Sequence, residues 1–327
     1  MGTMGSDREV DFLSAIRTPF GTFGGSLKDL SATELGVQAA RAAIERAGAP
    51  LEEYDEVFFG NVIQTSADAV YLARHVGLNA GLHEQSPALT LNRLSGSGFQ
   101  AVIDGAEAIM LGGAKHCLAG GTESKSQAPH VVRGARWGLR LGPSTPFEDS
   151  LWEALTDTYC GFSMAQTAEN LAEEYDISRE DVDEYAVRSQ HLAAAAWDEG
   201  RLAEEVVPVS MLKRGKEVLF ERDEHIRADT TMEALSGLRP YFKKDGLVTA
   251  GNASGIGDGA ASLVISDAEF AGAHGIEPIG SLVSWAVAGV PPRIMGIGPA
   301  PASRMAVERA GIGFDDLTLI EVNEAFA

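Results

Sequence analysis

Two stretches of the chain repeat each other at a constant offset. Glu45-Arg-Ala-Gly48, Leu51-Glu-Glu53 and Val57-Phe-Phe-Gly60 correspond to Glu308-Arg-Ala-Gly311, Phe314-Asp-Asp316 and Ile320-Glu-Val-Asn323, each pair 263 residues apart (308 − 45) without a gap. Each copy reads as a helix end, a glycine stop, an acidic turn and a strand. A repeat of this kind argues for two related halves. Ser95 follows Gly60 by 35 residues (95 − 60), so its counterpart would fall near position 358 (95 + 263), past residue 327. The second half is therefore expected to be cut short.

The first half alternates strands and helices. Residues 10–16 read as a strand, and residues 17–25 as a glycine-punctuated loop. Ser31-Ala-Thr-Glu34 has the form of a capping box and opens a helix to Ala47, where Gly48 stops it. A second strand over residues 56–63 and a helix around residues 67–80 follow. This order predicts an α/β sandwich. Between the copies, residues 126–255 look like a separate, loop-rich domain. Its long amphipathic helix covers residues 176–197, capped by Ser178 to Asp181. The acidic first turn of that helix suits its dipole.

Residues 88–102 carry the chemistry. A short alternating apolar run ends in Ser95-Gly-Ser-Gly98, and residues 99–110 have helical spacing. Ser95 thus sits where a strand hands over to a helix. Free N–H groups and the positive end of the helix dipole converge there, which favours a nucleophile and an oxyanion. A plain helix N-cap is the competing role for Ser95.

Composition narrows the function classes. The net charge is −21, and of the 26 cations only 7 are Lys, which leaves 19 Arg. Acid excess with scarce Lys fits either a protein of a salt-loving organism, where screening makes self-repulsion tolerable, or an ordinary acidic cytosolic protein. No overall basic footprint points to nucleic acid. No apolar run approaches the roughly 20 residues of a membrane helix, and Met1-Gly-Thr-Met-Gly-Ser-Asp-Arg-Glu9 lacks a signal pattern, so a cytoplasmic protein is expected. The two cysteines have no metal or disulfide spacing; Cys117 reads as core, and Cys160 as a thiol near Ser163. Residues 213–244 hold Lys213, Arg214, Lys216, Arg222, Arg227, Arg239, Lys243 and Lys244 against six acids, a local net charge of +2 (8 − 6). That segment is either a solvated face or a rim for phosphates, which Arg forks suit.

Four ordered motifs resemble one family. Asn92-Arg-Leu-Ser-Gly-Ser-Gly98 is similar to the nucleophile loop of the thiolases, which are acyl-CoA acyltransferases, with Ser95 where the family normally has Cys. Gly120-Gly-Thr-Glu-Ser124, Thr249-Ala-Gly-Asn-Ala-Ser-Gly255 and Asn323-Glu-Ala-Phe-Ala327 follow in the family's order. The similarity runs from about Arg17 to residue 327. It implies a duplicated αβαβα layered sandwich with an inserted loop domain. Residues 1–125 and 256–279 would form the N-terminal half, 126–255 the loop domain that binds coenzyme A, and 280–327 the start of an incomplete C-terminal half. It also implies acyl-CoA substrates, coenzyme A as a substrate and not a cofactor, no metal, and a homo-oligomer (dimer or tetramer) or a complex with a second subunit.

Residue by residue, the resemblance makes Ser95 the acyl acceptor. Asn323 would hold a water that stabilises an enolate-like oxygen, with Ala325 and Phe326 beside it. Arg227 aligns with the adenine-nucleotide contact; Phe242, Ala250 and Ser254 with the pantetheine tunnel. Ser163 stands where a His often touches the thioester, and Met164 would line the acyl pocket. The family's catalytic His and second Cys belong to later motifs, and none of the 7 His here has such a context.

The exchange of Cys for Ser has a physical cost. Thioester-to-thioester exchange is nearly balanced, whereas returning an acyl group from a Ser ester to sulfur runs uphill, and a hydroxyl needs a neighbouring base. Three readings stay open: a natural variant, as the resemblance to thiolases of halophilic archaea implies; an engineered substitution; or a subunit that binds acyl-CoA without reacting. A serine hydrolase does not fit, since the Gly-x-Ser-x-Gly elbow is missing.

Overall fold

A computed structural model describes residues 8–139, 141–142 and 146–327. The stretch read for a targeting signal lies outside them up to Asp7. Two compact units are woven from alternating segments. The first comprises the described parts of Met1–Ala128, Leu202–His225 and Ile256–Leu282; the second those of Pro129–Arg201, Ile226–Gly255 and Val283–Ala327.

The first unit is built on a mixed sheet. Its long strands are β1 (Val10–Arg17), β2 (Glu56–Gly60), β3 (Ala88–Leu91) and β4 (His116–Ser124). A hairpin, β5 (Val209–Lys213) with β6 (Lys216–Phe220), stands apart, and β7 (Gly257–Asp267) returns to the sheet. The order is Gly280–Ser281, β1, β7, β4, β2, β3, with Gly21–Thr22 also on β7. β2 runs parallel to β3 and β4, while β7 is antiparallel to β1 and β4.

Alternation of side chains sorts the sheet into two buried faces. Leu13, Val57, Phe59, Leu118 and Val264 pack with helices α1 (Ala32–Ala47) and α2 (Leu72–Ala80). Val10, Phe58, Cys117 and Ile265 pack with helix α3 (Ser97–Met110). Neighbours in sequence therefore serve opposite layers. Each fully buried Leu, Val or Phe contributes on the order of 1.5–3 kcal/mol, so these alternating pairs are the main source of cohesion. Cys117 is core, fully enclosed in β4.

The capping box at Ser31 is present: Ser31 Oγ accepts the Glu34 N–H at 3.2 Å and the Glu34 carboxylate accepts the Ser31 N–H at 2.8 Å. Gly48 ends α1 at φ 67°, a conformation that favours glycine. The second copy of the repeat matches in its helix, its stop and its acidic turn. Pro299–Ala310 is helical, Gly311 caps it at φ 71°, and Phe314–Asp316 makes a 3₁₀ turn as Leu51–Glu53 does. The expected strand at residues 320–323 is absent. Leu319, Ile320 and Val322 are 82%, 61% and 52% exposed, and residues 318–323 have no regular structure. A strand exists only through its ladder partners; Glu56–Gly60 has β3 and β4 beside it, and residues 320–323 have none among the described residues. The expected strand over 56–63 also stops early, at Gly60.

In the second unit, helix α4 (Met164–Glu174) and helix α5 (Arg179–Asp198) both start in capping boxes, from Ser163 with Gln166 and from Ser178 with Asp181. The unit also holds the short helices Ser150–Ala154 and α6 (Met232–Ser236) and the longer α7 (Pro299–Ala310). No helix among the described residues is long and apolar enough to cross a membrane.

His116 is fully buried between Tyr54 and Phe270, with ring centroids 3.9 and 4.4 Å away. Neither ring nitrogen has a well-formed hydrogen bond among the described residues; the Glu53 backbone offers a weak one. Burial pushes its pKa down to about 4 from 6.5, against the opposing pull of Asp55. The folded ring is neutral while an unfolded one titrates near 6.5, so this stabilisation is complete above that pH and is lost as the pH falls toward 4. His116→Phe should keep the ring stack and flatten the loss. Urea unfolding from pH 7 to 4 should show the parent falling more steeply than the variant, by up to about 1.4 kcal/mol per pH unit.

Candidate active site

The first unit contributes the turn around Ser95. β3 ends at Leu91 and α3 begins at Ser97, so five residues reverse the chain. Leu94 accomplishes this with φ +48°, left-handed backbone that a leucine rarely adopts. Asn92 Oδ1 accepts the Leu94 N–H at 2.9 Å. Ser97 Oγ accepts the Arg93 N–H at 2.9 Å and donates to Leu94 O at 2.6 Å. The helix cap is Gly96, so Ser95 is not the N-cap that its residue type allows. Its place one residue earlier leaves the side chain exposed, and no described residue hydrogen-bonds its hydroxyl.

The turn rests on the ends of β2 and β4. A Cβ on Gly60 would lie 2.6 Å from Ser97 Cβ, so only glycine lets the strand end touch the helix start. Beyond Gly60, the chain is tied down by Glu123. Its carboxylate accepts the N–H groups of Val62 at 2.9 Å and Ile63 at 3.1 Å and the Asn61 amide at 3.2 Å. Burial raises the Glu123 carboxyl above the ordinary range, and these N–H groups draw it back in part. Asn92 Nδ2 then donates to Val62 O at 3.1 Å.

The remaining sequence candidates lie in the second unit. Ser163 is the buried N-cap of α4, its Oγ accepting the Gln166 N–H at 3.3 Å, and Met164 is the first residue of that helix. Cys160, half-buried, points its Sγ at Asp157 Oδ2, 3.4 Å away. Arg227 is exposed; its backbone N–H donates to Gln190 Oε1 at 2.7 Å, and its guanidinium has no acidic partner among the described residues. Phe242 stacks on Trp152, centroids 6.5 Å apart. Within the candidate rim, Lys243 is paired with Glu173 at 2.9 Å.

Two motifs meet in this unit. Ser254 donates its N–H to Ala325 O at 3.0 Å, Ala327 N–H donates to Asn252 O at 2.9 Å, and Ala253 bridges Phe326. The two segments thus run antiparallel, and Ser254 and Ala250 are exposed. The sequence pattern predicts Asn323 at a strand end aimed into the site. It is instead exposed, outside any strand, and without a hydrogen bond among the described residues. Its neighbour Glu324 is the anchored one, accepting from Tyr185 Oη at 2.9 Å and Ser189 Oγ at 2.6 Å.

Two buried acids, one on α4 and one on α5, hold the loop at residues 247–252. Glu169, 2% exposed, accepts the N–H groups of Leu247 and Val248, both at 2.8 Å. Asp183, 1% exposed, accepts from Asn252 Nδ2 at 2.8 Å and pairs with Arg179 at 2.7 Å. No group of three or more His, Cys, Asp or Glu among the described residues could hold a metal ion.

Known proteins resemble this chain in sequence and in fold. The thiolase N-terminal-domain family model matches residues 10–269, and the thiolase C-terminal-domain model residues 276–327. The chain is 49% identical over 321 residues to the mitochondrial 3-ketoacyl-CoA thiolase of Homo sapiens, covering 98% of this chain and 81% of that one. It is 46% identical over 321 residues to the beta-ketothiolase BktB of Cupriavidus necator, with the same coverage. The crystal structure of the human mitochondrial enzyme in complex with CoA superposes with a TM-score of 0.94 at 48% identity, covering 98% of this chain and 80% of that one.

Removing the Glu169 carboxylate strands the buried Val248 N–H and the half-buried Leu247 N–H. Glu169→Ala should cost about 2–4 kcal/mol in urea unfolding. Gly246→Ala, whose Cβ would sit 2.4 Å from Glu169 Oε1, should release the same loop, and both should speed amide exchange at Val248.

Proposed function

Since the chain belongs to the thiolase family, we propose that it is an acetyl-CoA C-acyltransferase that accepts the acyl group on Ser95. The observation that carries this is the Ser95 hydroxyl itself. It is exposed, one residue after the left-handed Leu94 and ahead of the 14-residue helix α3. The N-terminal end of such a helix is worth roughly half a positive charge, which favours the oxyanion of a thioester under attack.

Ser95 Oγ bonds to the thioester carbonyl carbon as the carbon–sulfur bond breaks, and the hydroxyl proton leaves with the coenzyme A sulfur. The methyl carbon of a second acetyl-CoA then bonds to the ester carbonyl carbon as the bond from Ser95 Oγ to that carbon breaks, and the proton given up by the methyl carbon ends on Ser95 Oγ. In the opposite direction, 3-ketoacyl-CoA is cleaved. Asn323, beside Ala325 and Phe326, would stabilise the enolate-like oxygen. Arg227 would meet the nucleotide phosphates, and Phe242, Ala250 and Ser254 the pantetheine arm. Ser163 and Met164 would face the acyl end. Coenzyme A enters as substrate, a reading supported by the human mitochondrial thiolase having been crystallised in complex with CoA. Residues 126–255 are assigned as the coenzyme-A-binding loop domain between N-terminal (1–125, 256–279) and C-terminal (280–327) thiolase segments, in a cytoplasmic homo-oligomer or a two-chain complex.

A second reading has its own support. Among the described residues no base touches the Ser95 hydroxyl, which fits a subunit that binds acyl-CoA without reacting. Incubation with acetyl-CoA, followed by peptide mass spectrometry, separates the two. An acetyl group on the Ser95 peptide, absent from Ser95→Ala and chased off by a second acetyl-CoA, is the expected outcome. Coenzyme A binding without an adduct would favour the second reading.

A further inference from the structure

We propose that Asn92 and Glu123 are positioning residues for Ser95, acting through the backbone of residues 62–63 and of Leu94. The inference rests on the acyl-acceptor reading of Ser95 and concerns residues to which that reading gives no task. Glu123 lies on β4, in the Gly120-Gly-Thr-Glu-Ser124 motif. A carboxylate is an acceptor only, and here its oxygens meet the N–H groups of Val62 and Ile63 and the Asn61 amide. This fixes the direction of the Val62 carbonyl. Asn92 is the next link, because its amide can do two things at once. Nδ2 donates to Val62 O at 3.1 Å while Oδ1 accepts the Leu94 N–H at 2.9 Å. Leu94 is the residue whose left-handed backbone turns Ser95 outward.

The chain of contacts explains why an unfavourable backbone persists. A leucine in left-handed form costs about 1–2 kcal/mol relative to right-handed backbone, and such a residue persists only when its surroundings over-determine it. Leu94 is 57% exposed, so burial of its side chain is not what holds it. Its N–H is held by Asn92 and its carbonyl by Ser97 Oγ. Of these, Asn92 leads back to Glu123, so a single carboxylate on a central strand sets the register of the reactive hydroxyl.

The test uses the full chain carrying Ser95→Cys, where a thiol reports its own electrostatic setting. The pH midpoint of its iodoacetamide alkylation, mapped by peptide mass spectrometry, should lie below the ordinary thiol value of about 8.5. Adding Asn92→Ala or Glu123→Gln should raise that midpoint by about one unit, a tenfold loss of thiolate at a fixed pH below the midpoint. Alkylation of Cys160 should not change, and Arg93, the charged side chain of the turn, is retained throughout. Val264→Ala, in the buried core, should lower stability without moving the midpoint at position 95. An unmoved midpoint in Asn92→Ala and Glu123→Gln, or an equal shift in Val264→Ala, overturns the proposal. Acetyl transfer from acetyl-CoA to the same thiol is measured alongside. Its absence with the midpoint shifts present would sink the acyltransferase reading and leave the positioning role standing.

Discussion

A hydroxyl can stand exposed ahead of a helix only if the preceding strand stops and the chain reverses within a few residues. Here the reversal depends on Leu94 in left-handed backbone, gripped at its N–H by Asn92 and at its carbonyl by Ser97. The grip depends in turn on contact between the end of β2 and the start of α3, which the missing Cβ of Gly60 allows. Remove that contact and the sheet would survive, because its cohesion comes from Leu118, Val264 and their neighbours. What would be lost is the presentation of Ser95. The structure thus separates what stabilises the unit from what orients its reactive group.

The second unit shows the same division of labour. Its exposed candidates, Arg227, Ala250 and Ser254, are borne on backbone tied down by groups that would not themselves meet a ligand. Glu169 and Asp183 are buried acids whose oxygens are occupied by N–H donors and, for Asp183, by Arg179. Such groups are stable inside a protein only when satisfied. Their presence under a glycine-rich loop marks a shape that hydrophobic packing alone would not define. In a chain of net charge −21, burying acids this way also withdraws them from the surface on which an anionic substrate would have to settle.

Much of this was legible in the sequence, and the exceptions have physical reasons. Capping boxes are local, so Ser31 with Glu34 and Ser178 with Asp181 could be read directly. The glycine stops at Gly48 and Gly311 were equally plain. The strand expected at residues 320–323 failed because pairing is non-local: the pattern in Ile320 and Val322 permits a strand and cannot supply its neighbour. Ser95 as a helix cap failed by one residue, since Gly96 takes that role and Ser97, not Ser95, spends its hydroxyl on the turn. Glu169 and Glu123 escaped assignment because an acid on a helix or strand looks the same in sequence whether water or backbone amides satisfy it. The thiolase motifs themselves, by contrast, were readable as residues in order, and the family models cover residues 10–269 and 276–327.

The proposed transfer turns on one atom: an oxygen, not a sulfur, receives the acyl group. Carbon-13 NMR of the protein mixed with acetyl-CoA labelled at the carbonyl carbon observes that bond directly. Acylation of Ser95 predicts a new protein-bound resonance in the ester region, correlated with the Ser95 β-protons. A carbonyl signal that stays in the thioester region throughout, with coenzyme A demonstrably bound, would contradict it.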